Sequence, residues 1–303
     1  MRTDDDSWDI TESVGATAIG VAAIRAYETG REDALFRDPY AAKLVGAVDS
    51  EGWNSLMAGT LSGQGAGGDL GAWSMGSVLI ARTLYFDEYF AAAVRAGIRQ
   101  IVILAAGLDA RAYRLEWPSG TRIFELDQPK VLAFKARALA DDRPAADRRE
   151  VAIDLRQDWP TALLDKGFEP DQPTAWLAEG LLRYLPGHAQ DKLLEQVLEL
   201  SAPGSRLALN LGTTGDMADE FRERRRKVMA DAGIHLDLEN LFYPWEDRED
   251  PRTWFAMHRW LVTEGDPVAL LEDRGRTVPE AAKAGMGAHI LMTATKPRGD
   301  ETQ

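Results

Sequence analysis

Apolar side chains recur at helical spacing in the first hundred residues of this chain. Residues 14–27 are rich in alanine and carry apolar positions every three or four residues, and residues 75–94 repeat that pattern. Each segment is long enough for a helix of several turns. Between them, residues 59–71 contain four closely spaced glycines at 63, 65, 67 and 68, which predicts a flexible loop. The first hundred residues are therefore predicted to be helical.

The pattern changes near residue 100, where short apolar runs begin to alternate with helical segments. Five such runs cover residues 101–105, 122–126, 151–155, 175–178 and 206–211. Continuous apolar runs of this length, separated by helices, are typical of a parallel sheet built from βαβ units. The pattern predicts a doubly wound α/β fold.

The last ninety residues depart from that rhythm. Aromatic residues follow the fifth run, at 242, 243, 245, 254, 255 and 260, and two further strand candidates at 260–263 and 289–295 are separated by one predicted helix. This spacing suits an antiparallel final pair of strands. We expect one domain in which residues 1–98 form an N-terminal helical cover and residues 99–303 a Rossmann-like core, with an aromatic and helical insertion at about 213–259.

Composition and charge narrow the classes of function. The formal net charge of −14 disfavours nucleic acid as a partner, and the basic run at 222–227 is interrupted by Glu223, as on a solvated helix face. The absence of cysteine excludes disulfides, thiolate catalysis and cysteine-based metal sites. No apolar run approaches the ~20 residues of a membrane span. Three aspartates at positions 4–6 stand where a secretory signal would need basic residues, so we expect a cytoplasmic protein.

The first predicted strand runs into a turn of small residues, Ala105, Ala106 and Gly107. A nucleotide lying against the end of a strand needs backbone without bulky side chains. Asp127 ends the next strand, 20 residues beyond Gly107, where a carboxylate can accept both hydroxyls of an adenosine ribose. The alternative is that Asp127 caps the helix that starts near Pro129.

Two more acidic residues end predicted strands at the same edge of the sheet. Asp154 and Leu155 close the third run, where they would face an adenine; otherwise Asp154 is an ordinary turn aspartate. Glu179 ends the fourth run at the central switch point, where a carboxylate is well placed for a cationic part of a cofactor. The alternative for Glu179 is a salt bridge with Arg183, one turn later.

Four motifs in this order, LAAGLDARAYRL, FELDQP, AIDLRQDWP and AEGLLRYLP, resemble the leucine carboxyl methyltransferase family. More narrowly they resemble its bacterial branch of S-adenosylmethionine-dependent O-methyltransferases, which includes enzymes of polyketide modification. SVGATAIGVAAIRA and LFRDPYA extend the resemblance toward the start of the chain. It implies a class I methyltransferase sheet of seven strands with the last one antiparallel, and S-adenosyl-L-methionine as cofactor with S-adenosyl-L-homocysteine as product.

The resemblance also assigns roles to individual residues. It implies that Arg82 holds the cofactor carboxylate, that Gly107 lies beneath the methionine portion, that Asp127 takes the ribose, that Asp154 and Leu155 flank the adenine, and that Glu179 lies beside the amino acid end. The chain departs from the family's L-G-A-G-L-D-T-R turn at Ala105 and Ala110, and it has Arg183 where relatives often have an apolar residue. Ala105 is expected to affect affinity for the cofactor, whereas Arg183 is expected to affect the choice of acceptor.

The acceptor side is predicted less sharply. We expect a small-molecule acceptor, aromatic or carboxylate-bearing, in a pocket between the N-terminal helices and the aromatic segment at 241–260, although ordinary core packing of those aromatics is the alternative. Tyr184, Arg183 and His258 are the candidate catalytic residues, with His235 as a second candidate base. The four histidines lack ligand spacing, so no metal site is expected. An NAD(P)-dependent oxidoreductase and a non-catalytic cofactor-binding protein are the rival functions.

Overall fold

The computed structural model describes residues 13–48, 70–212, 230, 241–243 and 248–299. Within these ranges seven strands form one sheet in the order β3-β2-β1-β4-β5-β7-β6. The strands are β1 Gln100–Leu104, β2 Arg122–Asp127, β3 Asp147–Ala152, β4 Thr174–Ala178, β5 Arg206–Gly212, β6 Leu261–Gly265 and β7 His289–Thr295.

Helices cover both faces of this sheet and connect its strands. Those in the described residues are α1 Ser13–Thr29, α2 Pro39–Gly46, α3 Leu70–Arg95, α4 Arg111–Arg114, α5 Pro129–Ala138, α6 Trp159–Asp165, α7 Gly187–Glu199, α8 Pro251–Met257, α9 Pro267–Glu272 and α10 Glu280–Gly287, with a 3-10 turn at Leu182–Tyr184. Among the described residues no helix has the length and apolar character needed to span a membrane.

The middle of the sheet follows directly from the apolar runs. Every residue of β1 and β4 is buried, because both strands have a parallel neighbour on each side and helices on each face. Alternate residues of β1 enter opposite cores: Ile101 and Ile103 pack with α1 and α3, whereas Val102 and Leu104 pack with Trp159 and α7. The first core therefore joins the N-terminal helices to one face of the sheet, and the second joins other helices to the opposite face.

The third strand begins earlier than predicted. The apolar run at 151–155 predicted its position, but β3 spans Asp147–Ala152 and is half exposed. It lies at the edge of the sheet and pairs only with β2, with Asp127 opposite Ala152. Backbone pairing to one neighbour therefore sets its ends, and Asp154 and Leu155 lie in the turn that follows the strand.

The end of the sheet matches the predicted antiparallel arrangement. β7 runs antiparallel to both β5 and β6, with Gly212 opposite His289 at the start of β7. The predicted single helix between β6 and β7 is instead two short helices, α9 and α10. Gly275, which follows α9, has a φ of +77°, a conformation that ends a helix.

Four helices start at an aspartate followed by proline within two residues. The side chains of Asp38, Asp158, Asp250 and Asp266 accept hydrogen bonds from backbone N–H groups in the first turns of α2, α6, α8 and α9. The carboxylate satisfies donors that a helix leaves unpaired, and proline supplies the required φ. These starts are local features of the sequence.

Several predictions concern residues outside the described ranges. The glycine-rich segment at 59–71 falls almost entirely there, as do the basic run at 222–227, His235, Trp245 and the aspartates at 4–6. The insertion at about 213–259 is described only at 230, 241–243 and from 248 onward.

Candidate functional site

A cavity opens at the carboxyl ends of β1, β2 and β4 and is closed from above by α1. Most of the residues selected from the sequence line it, namely Arg82, Ala105, Gly107, Asp127, Asp154, Leu155, Glu179 and Tyr184. Arg183 and His258, although within the described part of the chain, are not lining residues. The topology therefore brings together side chains from five separate segments at the edge where ligands of parallel sheets bind.

The turn after β1 forms the floor of this cavity. The N–H of Ala106 donates to the Leu126 carbonyl at 2.9 Å, so the turn stays attached to β2. Ala105 has a φ of +53° and Gly107 a φ of +47°, both in the left-handed region that favours glycine. A Cβ on Gly107 would lie 3.3 Å from the Cβ of Ala18 on α1. A side chain at 107 would therefore narrow the cavity, whereas Ala105 bears the left-handed conformation without glycine's freedom.

Asp127 is held by the backbone of that turn. Its Oδ2 accepts the N–H of Gly107 at 2.6 Å, and its Oδ1 accepts the N–H of Gln128 at 2.7 Å. The residue preceding α5 is Gln128, whose side chain makes no cap, so the alternative role of Asp127 as the cap of this helix is wrong. Burial raises the pKa of Asp127 to about 6, although the two N–H groups oppose the shift. A further hydrogen-bond donor would therefore stabilise the ionised form of Asp127.

Asp154 is a turn aspartate that also lines the cavity. It accepts hydrogen bonds from the backbone N–H of Arg156 at 2.8 Å, from the Arg156 guanidinium at 2.6 Å, and from the Gln128 amide at 3.0 Å. Burial raises its pKa, but the bonds from Arg156 outweigh that effect and the pKa lies below its usual value. Asp154 is therefore ionised and oriented beside Asp127.

Glu179 lies between two arginines that the chain brings from distant segments. Its Oε1 accepts from Nε of Arg82 at 2.9 Å and its Oε2 accepts from Nη1 of Arg111 at 2.8 Å. The alternative pairing with Arg183 is therefore wrong. Burial opposes ionisation of Glu179, yet the charges of Arg111 and Arg82 hold its pKa below its usual value. In the described part of the chain, Arg82 contacts Glu179 through its Nε alone. Its two Nη groups therefore remain able to bind an anion.

Arg111 is the residue that sequence reasoning missed. Its side chain is 2% exposed and also pairs with Asp87 at 2.7 Å and with Asp109. It therefore connects α3, the turn after β1 and the end of β4. Its place within the AGLDARAYRL motif was the available signal, but a lone arginine in a short helix gives no indication of which carboxylates it will meet.

The aromatic segment divides between core and cavity. Trp254, Phe255 and Trp260 belong to the buried core beneath β5 and β7, as the packing alternative predicted. Phe242 instead packs its ring 5.1 Å from that of Tyr184, a residue that lines the cavity. The Tyr184 hydroxyl donates to Thr17 on α1 at 3.2 Å. Tyr184 therefore gives the cavity an aromatic lining residue, and Phe242 packs against that residue.

Two of the histidines in the described ranges, His258 and His289, do not have the properties expected of a base, whereas His235 lies outside these ranges. His258 is exposed at the end of α8, stacked on Trp254 with its Nδ1 2.7 Å from the Trp254 carbonyl oxygen. His289 is partly buried, and burial together with the charges of Arg82 and Arg183 lowers its pKa to about 4. Among the described residues no cluster of three or more acidic or histidine side chains could hold a metal ion.

Comparison with known proteins supports one family. Residues 18–198 match the family model described as leucine carboxyl methyltransferase. A protein of Mycobacteroides abscessus, named as a candidate S-adenosyl-L-methionine-dependent methyltransferase, is 51% identical over 294 residues, covering 94% of this chain and 96% of the relative. A protein of Rhodococcus jostii with the same description is 48% identical over 283 residues, covering 92% of this chain and 94% of the relative.

A solved structure supports the fold independently. The crystal structure of a DUF574 family protein from Streptomyces avermitilis superposes with a TM-score of 0.54 at 17% identity. The likeness covers 95% of this chain and 99% of that protein. At this level of identity the comparison concerns the arrangement of strands and helices alone.

Proposed function

We propose that this chain, which belongs to the leucine carboxyl methyltransferase family and is an S-adenosyl-L-methionine-dependent methyltransferase, transfers the methyl group to an oxygen atom of a small-molecule acceptor. Carboxyl and phenolic oxygens are the two candidate acceptor atoms. The observation that carries the proposal is the protonation and hydrogen bonding of the ionisable groups in the cavity. These determine whether the protein can deprotonate an acceptor or the acceptor oxygen must already be ionised.

The residues of the cavity fit the cofactor part by part. Asp127 presents a carboxylate fixed by two backbone N–H groups, with lone pairs left for ribose hydroxyls. Gly107 and Ala105 provide backbone without bulk for the methionine portion. Leu155 supplies an apolar surface beside the adenine. These assignments give the small residues a function. A ribose hydroxyl that donates to Asp127 would also lower the pKa that burial raises.

Arg82 and Glu179 would hold the amino acid end of the cofactor. The free Nη groups of Arg82 suit a carboxylate, and Glu179 suits an ammonium. Arg111 keeps Glu179 ionised through its charge. When bound, the cofactor supplies a methyl group already activated by a sulfonium. The remaining task of the chain is to align an acceptor oxygen with that methyl group and to exclude water.

Apart from Asp127, whose carboxylate with a pKa of about 6 is assigned to the ribose, the cavity offers little basicity to an acceptor. Each carboxylate among the described lining residues accepts hydrogen bonds from backbone N–H groups or guanidiniums, namely Asp109, Asp127, Asp154 and Glu179. His289, with a pKa of about 4, is a weak base. A carboxylate acceptor is nucleophilic as it stands, whereas a phenol must first lose its proton. These features favour carboxyl methylation over phenolic methylation.

The proposal is tested by transfer of isotopically labelled methyl groups to a panel of small carboxylic acids, phenols and amines. Methyl esters release methanol in mild base, whereas methyl ethers and N-methyl products do not. We expect base-labile label on carboxylic acids. Base-stable label on phenols would keep oxygen as the acceptor atom and reverse the order of preference. Label found only on nitrogen or carbon would refute the proposal.

A further inference from the structure

Arg183 is partly buried and has no anionic partner in the described part of the chain. No hydrogen bond or ion pair joins its guanidinium to another side chain in the described ranges, and its Nε is buried without a hydrogen-bond partner there. The guanidinium lies over the Phe242 ring, 4.2 Å from its centroid. Burial lowers the pKa of Arg183. Two other partly buried arginines, Arg148 and Arg156, are paired with carboxylates. A third, Arg248, donates to backbone carbonyl oxygens.

The surroundings of Arg183 carry positive charge. Arg183 Cδ lies 3.5 Å from the position of a Cβ on Gly212, at the carboxyl end of β5. Gly212 pairs with His289, whose pKa is lowered in part by the charges of Arg183 and Arg82. Burial lowers the pKa of Arg248, and the charge of Arg183 adds to this effect. In a chain of net charge −14, this is a local concentration of cations beside the cavity.

The position of Arg183 connects it to the acceptor side of the cavity. Its neighbours in sequence, Leu181 and Tyr184, both line the cavity, and Tyr184 also packs against Phe242. A desolvated guanidinium is costly unless it is paired. It also presents a planar fork of donors that matches a carboxylate. An anion arriving here would therefore be bound more tightly than at an exposed arginine.

We infer that Arg183 binds a carboxylate of the acceptor and so selects negatively charged acceptors. This inference rests on the proposed function, since it concerns the same cavity. Pairing with a guanidinium withdraws the charge that an oxygen needs for attack, so the bound carboxylate anchors the acceptor and a different oxygen is methylated. The acceptor class is thus a small molecule with two carboxylates, one bound by Arg183 and the other methylated, with its apolar part against Tyr184 and Phe242.

The experiment measures binding of a simple probe, so that it does not depend on knowledge of the natural acceptor. The full chain is saturated with S-adenosyl-L-homocysteine and titrated with benzoate, and separately with benzamide, its neutral counterpart. Melting temperature and calorimetric affinity are recorded for the wild type and for Arg183→Met and Arg183→Lys. Arg252→Met is the matched control, because it removes an exposed arginine that pairs with Asp250 outside the cavity.

We expect saturable stabilisation of the wild type by benzoate and none by benzamide. Arg183→Met should weaken benzoate binding by at least about tenfold, and Arg183→Lys should retain part of it, whereas Arg252→Met should bind benzoate as the wild type does. Three results would overturn the inference: no response of the wild type to benzoate, an equal response to benzamide, or an unchanged response in Arg183→Met. A purely structural role would lower the melting temperature of Arg183→Met without changing its benzoate affinity.

The two proposals fail in different ways. Transfer of label to nitrogen in an Arg183-dependent manner would refute oxygen methylation and leave the anion site intact. Methyl ester formation that is insensitive to Arg183→Met, together with unchanged benzoate binding, would refute the anion site and leave oxygen methylation intact.

Discussion

Cofactor affinity should depend on the ionisation of Asp127. In the cofactor-free protein its pKa is about 6 because of burial. Ribose hydroxyls donate hydrogen bonds and therefore favour the ionised carboxylate, so binding lowers this pKa and releases a proton at acidic pH. The affinity for S-adenosyl-L-homocysteine should accordingly be constant well above pH 6 and fall below it. With only about one molecule in ten ionised at pH 5, the dissociation constant should be about tenfold higher there than at pH 8, or ~1.4 kcal/mol.

Isothermal titration calorimetry between pH 5 and pH 8 measures this dependence, and buffers of different ionisation enthalpy report the proton released. Asp127→Asn removes the titrating group, so its affinity should be weaker and independent of pH. Asp154→Asn is the matched control. The pKa of Asp154 already lies below its usual value, so this variant should lose affinity but still weaken with falling pH. Its profile should move slightly to lower pH, because the charge of Asp154 contributes to the raised pKa of Asp127. A flat profile in the wild type, or an unchanged profile in Asp127→Asn, would refute the role given to Asp127.

Two substitutions test the turn after β1 and the buried charges. Gly107→Ala should cost about 1–2 kcal/mol of stability through its left-handed backbone, and it should weaken S-adenosyl-L-homocysteine binding because its Cβ enters the cavity. The control is Gly97→Ala, at a φ of +90° with nothing within 4 Å of the added Cβ, which should lose stability but keep its affinity. Equal affinities of the two variants in calorimetry would contradict the role given to Gly107. Lys135→Met should destabilise the chain by about 3 kcal/mol in urea unfolding, since Glu125 is 0% exposed and loses a partner at 2.8 Å. Lys283→Met, at the surface, should cause no measurable change, and similar losses in both variants would contradict the argument.

The α/β class and the residues that end neighbouring strands followed from local signals. Apolar runs of four to six residues, each ended by small or acidic residues, predicted a parallel sheet and its antiparallel final strand. The spacing of Gly107 and Asp127 predicted two neighbouring strand ends, and the structure brings their atoms to 2.6 Å. Such predictions succeed because burial of a strand on both faces and the βαβ connection leave few arrangements.

The ends of the edge strand could not be predicted in the same way. β3 contains Asp147, Arg148 and Arg149 and has little apolar signal. Its extent is set by pairing with β2, which belongs to another part of the chain. The number of helices between β6 and β7 was also missed, because α9 and α10 are each too short for a clear periodicity.

What the sequence by itself determined is the α/β class, the antiparallel end of the sheet and the small-residue turn facing Asp127, since each depends on side chains within a short window or on the general rules of parallel sheets. Only the tertiary structure decided which charges meet. Glu179 joins Arg82 across 97 residues and Arg111 across 68, while Arg183, four residues from Glu179, acquires no carboxylate partner in the described ranges. The physical reason is that an ion pair is chosen by distance and desolvation in the folded chain, and nothing in the spacing of charged residues specifies either.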